Sequence, residues 1–180
     1  SKKPIIALLP GSRKQEISKM LFIMLSLVDD FQQYEFVIAG APSQSLDFYK
    51  KIIGSKNVAF VDNKTYDLLS VSYAALVTSG TATLETALFK VPQVVCYKGS
   101  IISYQIAKRI ITLRFISLVN LIMDKEVVKE LIQKDFTKKN LTKELAMILD
   151  DNHRSKIFEN YYQLEQKLGG KGASKNTATS

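Results

Sequence analysis

Two short stretches carry residue types suited to holding an anion. In PIIALLPGSRKQEI, residues 4–17, an apolar run stops at Pro10-Gly11-Ser12 and a helical pattern begins at once. Ser12 and Gln15 stand in the spacing of a capping box, which predicts a helix start at Arg13. Arg13 and Lys14 then sit at the positive end of a helix dipole, where cations are disfavoured unless an anion joins them. Gly11 removes the side chain where a ligand must approach the backbone, and the helix start offers N–H groups to it. The second stretch is Ser79-Gly80-Thr81-Ala82-Thr83-Leu84-Glu85. Small hydroxylated residues at a helix start make a neutral anion cradle. Glu85, one turn beyond Thr81, suits hydrogen bonds from a diol such as a ribose. Taken singly, each stretch reads equally well as a solvated helix start.

Neither stretch is G-x-x-x-x-G-K-[ST], and no G-x-G-x-x-G follows the first apolar run. That counts against a P-loop nucleotidase and a nicotinamide dehydrogenase. No D-x-D pair is present to hold a metal on a diphosphate, so no metal and no other cofactor is expected. Neutralising the anion then falls to Arg, Lys and helix dipoles. His153, the one histidine, lies in DDNHRSK and reads as a solvated helix start; Cys96, in VPQVVCY, reads as a small buried hydrophobe.

The elements that must position these stretches show in the hydrophobic pattern. Strands are predicted at Ile5–Leu9, Glu35–Ala39, Val58–Val61, Ala74–Val77 and Gln93–Tyr97, with helices at 14–31, 43–54, 65–72 and 81–90 between them. Ile17, Met20, Leu21, Met24, Leu25 and Val28 mark one face of the first helix. This alternation implies an α/β fold, a Rossmann-like doubly wound parallel sheet with right-handed crossovers. Helices near 101–113, 125–134, 138–150 and 153–168 would form a C-terminal extension, ended by Gly169-Gly170-Lys171-Gly172. The run 101–123, with Lys108, Arg109 and Arg114, has two readings. One is a core helix followed by a buried strand; the other is a basic face touching anionic lipid.

The 180 residues suffice for one domain with a real core. Twenty-five Lys plus Arg against 17 Asp plus Glu give a net charge of +8, which favours anionic partners. Nucleic acid is not among those expected, because the basic residues are scattered and no aromatic-interleaved sheet or recognition-helix pattern appears. A single cysteine fits a reducing compartment. No apolar run reaches the ~18 residues of a spanning helix. No export signal precedes the first strand, and an opening so close to that strand suggests a piece of a longer protein.

LPGSRKQEI, SGTATLETALFKVPQVVCYK, ISLVNLIMDKEVVKELIQ and LGGKGAS, in this order and spacing, resemble the C-terminal half of the lipid-A-disaccharide synthases. The resemblance runs over nearly the whole chain. It implies an inverting glycosyltransferase of the GT-B type, in which two Rossmann-like domains face a cleft. Residues 1–168 would be the donor-binding domain and 169–180 a loosely ordered tail. The acceptor-binding N-terminal half, with the general base, would lie elsewhere and leave this chain inactive alone. Such an enzyme joins UDP-2,3-diacylglucosamine to 2,3-diacylglucosamine 1-phosphate and releases UDP. It works as a peripheral protein on the cytoplasmic face of the Gram-negative inner membrane. By motif matching, Gly11, Ser12 and Arg13 would meet the UDP diphosphate, Ser79, Gly80 and Thr81 would cradle it, and Glu85 would hold the ribose. Tyr97 and Lys98 would border the uracil, and Asn120 and Gln133 would line the donor pocket. Val119 stands where the family usually has proline, which leaves the loop bearing Asn120 less rigidly set. A related UDP-sugar enzyme (a 2-epimerase or a peptidoglycan glucosaminyltransferase relative) and a stand-alone nucleotide-sugar-binding module are the alternatives.

Overall fold

Ile5–Leu9 and Ala74–Val77 are apolar at every position, without the alternation of a strand that has one wet face. Both lie at the centre of a parallel sheet. The computed structural model describes residues 2–99, 112 and 114–169. In chain order these form β1 (Ile5–Leu9), α1 (Lys14–Leu25), β2 (Glu35–Gly40), α2 (Leu46–Ile53), β3 (Ala59–Asp62), α3 (Thr65–Val71), β4 (Ser72–Thr78), α4 (Thr81–Leu88) and β5 (Gln93–Tyr97). After them come α5 (Leu118–Met123), β6 (Lys129–Ile132), α6 (Lys138–Leu149) and α7 (Asp151–Lys167).

The strand order is β3-β2-β1-β4-β5-β6, and every pairing is parallel. The chain therefore winds outward from β1 to β3, returns through α3, and winds outward again from β4. Between β1 and β4 the winding reverses, with Ala7 in register with Ala75 and Leu9 with Val77. A crevice opens at the carboxyl ends of two strands whose connections leave in opposite directions. Alternate residues build the two core layers. Ile6, Leu8, Phe36, Ile38 and Leu76 join Ile17, Met20 and Leu21 of α1 and Leu141 and Leu145 of α6. Ala7, Leu9, Val37, Ala39, Ala75 and Val77 join Leu68 and Leu69 of α3.

Three predicted elements differ. Helix α1 stops at Leu25, and a separate 3-10 turn, Val28–Asp30, follows it. The predicted helix at 125–134 is replaced by β6, which pairs with β5 from Val94↔Lys129 to Tyr97↔Ile132. KEVVKELIQ is rich in helix formers, but the open edge of β5 supplies a ladder that outweighs local propensity. The buried strand expected at the end of 101–123 is instead the short helix α5. Ser117 caps it by accepting from the Asn120 N–H at 3.3 Å, and Asp124 ends it in the left-handed region. The helix expected at 101–113, with Lys108 and Arg109, falls largely outside the described residues, as do 170–180. His153 begins α7 as expected, its N–H donating to the capping Asp150 carboxylate.

Cys96 is fully buried in β5, and desolvation pushes its thiol pKa far up. The native chain is expected to leave a thiol-disulfide reagent unconsumed at pH 8, and the urea-unfolded chain to consume one equivalent. Rapid native labelling would contradict this placement.

Candidate functional site

At the switch point the described residues enclose a cavity of about 700 Å³. Four segments and two helical carboxylates wall it: the turn after β1 with Gly11 and Ser12, the end of β2 from Gly40 to Pro42, the β3–α3 junction from Asn63 to Asp67, the β4–α4 junction from Thr78 to Ala82, and the side chains of Glu16 and Glu85.

The turn after β1 is closed by glycine. Gly11 has φ +103°, and a Cβ there would overlap Oε2 of Glu16. Turned this way, the chain presents the Ser12 N–H to that same oxygen at 3.2 Å. The capping box predicted from Ser12 and Gln15 does not form: α1 starts at Lys14, Arg13 is its N-cap residue, and no side chain caps it. Glu16 instead supplies the returning carboxylate, one residue out of the usual register. The Ser12 carbonyl accepts from Ser43 Oγ at 3.2 Å and Gln44 Nε2 at 3.1 Å, which ties the turn to the loop after β2. That loop is held in turn by the Ala41 N–H, which donates to the Tyr49 hydroxyl at 2.9 Å.

The junction after β4 is built differently. The Ser79 N–H donates to the Cys96 carbonyl, continuing the ladder between the strands, and Gly80 then starts α4 with no side-chain cap. The Thr81 and Ala82 amides that begin α4 have no acceptor within the helix, whereas the Thr83 N–H donates to the Gly80 carbonyl at 3.2 Å. Glu85, one turn along, accepts from the Tyr66 hydroxyl at 2.8 Å through Oε1. That bond raises the Tyr66 pKa, and the Tyr66 ring stacks on Phe89.

Charge in the cavity runs against the expectation of a cation-lined site. The wall carries Lys64 but also Glu16, Asp67 and Glu85. Besides Lys64, the groups left to meet an anion there are amides and hydroxyls, and the carboxylates suit a ligand that also carries hydroxyl groups.

Residues 1–179 match the family described as Lipid-A-disaccharide synthetase. The chain belongs to this family. Its relatives include the lipid-A-disaccharide synthase of Coxiella burnetii (strain Dugway 5J108-111), 34% identical over 98% of this chain and 48% of the relative. That of Syntrophus aciditrophicus (strain SB) is 37% identical over 96% of this chain and 47% of the relative. The chain spans about half the length of the curated relatives it matches. Among solved structures, spinosyn rhamnosyltransferase complexed with thymidine diphosphate superimposes with a TM-score of 0.64 at 13% identity, over 94% of this chain and 42% of that one. The C-terminal domain of a glycosyl transferase group 1 family protein from Francisella tularensis gives 0.60 at 16%, over 94% and 89%. These likenesses are of fold, and the fold is the Rossmann-like unit of GT-B glycosyltransferases.

Within that frame the structure brings together Gly11, Ser12, Ser79, Gly80, Thr81 and Glu85 on one cavity wall. Arg13, Tyr97, Lys98, Asn120 and Gln133 do not line it. The Tyr97 hydroxyl has its pKa raised first by burial and then by Glu16, against the lowering charge of Arg13. Gln133 follows β6 with φ +52°, at the start of a 3-10 turn. Asn120 is wholly buried. Its Oδ1 accepts from the N–H groups of Val127 at 2.7 Å and Val128 at 3.0 Å. Its Nδ2 donates to the Val128 carbonyl at 2.8 Å and Glu130 Oε1 at 2.9 Å. All four of its hydrogen-bonding positions are used inside the protein, so Asn120 clamps the chain between α5 and β6.

Sequence reasoning missed Glu16, Thr78 and the β3–α3 junction from Asn63 to Asp67. The rule that ligands lie beyond the carboxyl ends of strands points to the loop after β3, whereas nothing local ties Tyr66 to Glu85. Replacing Asn120 with alanine is expected to cost about 2–4 kcal/mol in urea unfolding, since at least two buried amides lose their acceptor. A loss under about 0.5 kcal/mol, the scale of an ordinary surface change, would deny the clamp.

Proposed function

We propose that this chain is the donor-binding half of a glycosyltransferase and that the cavity at the switch point receives a UDP-sugar. The observation that carries the proposal is the convergence of the Gly11 turn, the uncapped start of α4 and the Glu85 carboxylate on one cavity. A nucleoside diphosphate needs these three things: amides for the phosphates, an acidic acceptor for the ribose, and room for a base. The diphosphate takes the start of α4, where the dipole and free amides favour negative charge. The ribose hydroxyls go to Glu85, beside Tyr66. Beyond Glu85 the wall is made by Asn63–Asp67, so the base belongs there; Tyr97 and Lys98, which do not line the cavity, are not given the uracil-bordering role that the resemblance implied.

The finer reading follows the family resemblance of the sequence: UDP-2,3-diacylglucosamine as donor, 2,3-diacylglucosamine 1-phosphate as acceptor, and inversion at the sugar carbon. The leaving UDP gains charge as the glycosidic bond breaks, and amides already aimed at its phosphate stabilise that charge without rearrangement. Arg13, at the N-cap of α1, adds a charged fork from the rim. The general base is assigned to an acceptor-binding half, without which this chain does not turn over. No helix among the described residues is long and apolar enough to cross a membrane. Contact with the cytoplasmic face of the inner membrane is proposed as peripheral, through Lys108 and Arg109.

Thermal melting of the chain with UDP, UDP-N-acetylglucosamine, ADP, GDP and NAD tests the class. Uridine nucleotides at a hundredfold excess over Kd are expected to add about 2.7 kcal/mol of stability, and the others nothing. Equal stabilisation by all five would remove the assignment. Calorimetry tests the roles: Arg13→Ala is expected to weaken UDP binding by roughly 1.5–3 kcal/mol. Glu85→Gln should abolish the preference for UDP over 2′,3′-dideoxy-UDP. An Arg13→Ala chain with unchanged affinity would take Arg13 out of the site.

A further inference from the structure

Tyr66 is 56% exposed, yet both its ring and its hydroxyl are held. The hydroxyl donates to Glu85 Oε1 at 2.8 Å, and the ring stacks on Phe89 with centroids 5.6 Å apart. Both partners belong to α4 and its last turn. The Phe89 N–H donates to the Glu85 carbonyl at 3.0 Å, so the helical bonding runs through them, and side chains four apart leave the same face. Tyr66 itself stands in the first turn of α3. One side chain thus ties the β3–α3 junction to α4, and Tyr66 and Glu85 both line the cavity.

The three carboxylates of the cavity are held differently. Glu16 accepts from the Ser12 N–H and so belongs to the Gly11 turn. At Asp67 the group that accepts is the backbone carbonyl, from Ser70 Oγ at 2.7 Å. Glu85 is fixed by another side chain through Oε1, while its Oε2 accepts no hydrogen bond among the described residues. A loose glutamate has many rotamers, and ordering it when a ligand arrives weakens binding. A donor that orders it beforehand removes much of that loss. The Tyr66 pKa is raised first by this bond and then by the charge of Glu85, so the hydroxyl keeps its proton and remains a donor.

Resting on the reading of the cavity as a UDP-sugar site, we infer that Tyr66 is a positioning residue for the ribose. Its hydroxyl, with the ring braced on Phe89, holds the Glu85 carboxylate and leaves the second oxygen for a ribose hydroxyl. Tyr66 acts through Glu85. Its contribution is therefore confined to ligands that carry the ribose hydroxyls.

The test is calorimetric titration of the parent chain, Tyr66→Phe, Glu85→Ala and the double variant with UDP and with 2′,3′-dideoxy-UDP. Tyr66→Phe keeps a ring to stack on Phe89 and removes only the donor. Without ligand it is expected to melt within about 2 °C of the parent, as an exposed change does. It should bind UDP about threefold to tenfold more weakly and 2′,3′-dideoxy-UDP as the parent does. In the Glu85→Ala chain, adding Tyr66→Phe should change UDP affinity by less than about twofold. Unchanged UDP affinity in Tyr66→Phe would overturn the inference and leave the UDP-sugar reading intact. Tighter UDP binding would do the same, since the tyrosine would then compete with the ribose for Glu85. So would equal losses for the two nucleotides, or a loss that persists without Glu85, because Tyr66 would then act on the ligand directly or through the shape of the wall. A parent chain with no affinity for UDP would overturn both the inference and the reading beneath it.

Discussion

The turn at Gly11 needs φ +103°, a conformation that side chains rarely adopt, and the Glu16 carboxylate fills the space that a Cβ would take. With φ at +103°, the Ser12 N–H meets Glu16 and the Ser12 carbonyl meets the side chains of Ser43 and Gln44. Both backbone polar groups of one residue are thus held by side chains, on the two peptide units that flank Ser12. This sets where α1 begins, how near the loop after β2 comes to it, and how wide the cavity is at its β1 edge. A side chain at residue 11 would have to expel Glu16 and free the Ser12 amide together. The site therefore depends on a residue whose contribution is the absence of atoms.

The sheet supplies the rest. Because β1 pairs on both edges and β4 on both edges, neither can slide without disturbing two ladders. Their carboxyl ends are a rigid base for two loops that hold few internal contacts. At the far side of the sheet, β6 is short and has one partner, and it is held by side chains as well as by its ladder. Glu130 accepts from the N–H groups of Ile116 and Ser117 and from Asn120, while Asn120 holds Val127 and Val128. This network joins the start of α5 to the last strand through polar groups that exclude water, and an internal partner for each is what makes such a network stabilising.

Much of the fold could be read from the chain, and the exceptions have physical causes. Five strands follow from apolar runs bounded by turn residues, and α1 follows from its buried stripe. KEVVKELIQ did not read as a strand because its identity comes from the unpaired edge of β5, a neighbour more than thirty positions back in sequence. Ser12 did not act as a cap because a positive φ at the preceding glycine rotates its amide toward the helix in place of its hydroxyl, and a residue pattern carries no dihedral angle. Glu85 was legible from its spacing to Thr81. Its partner Tyr66 was not, since that bond joins residues 19 apart on separate helices. Asn120 shows the reverse case: a motif pointed to the donor pocket, and the structure uses every polar atom of the side chain on the backbone of Val127 and Val128 and on the Glu130 carboxylate.

The distribution of charge explains why local donors matter more than the overall balance. A net charge of +8 draws anions toward the molecule from several ångströms out, an effect that salt screens over about 8 Å at physiological ionic strength. Inside the cavity the field is different, because Glu16, Asp67 and Glu85 face Lys64. In the proposed reading, a diphosphate entering there is favoured where it meets Lys64 or the amides that begin α4, while the carboxylates favour a sugar or ribose. Attraction by the surface then governs arrival, and the placement of the carboxylates governs register: one orientation satisfies both the phosphate and the hydroxyl ends of the proposed ligand, and the reversed orientation sets phosphate against carboxylate. A site lined with lysines alone would bind an anion in either sense.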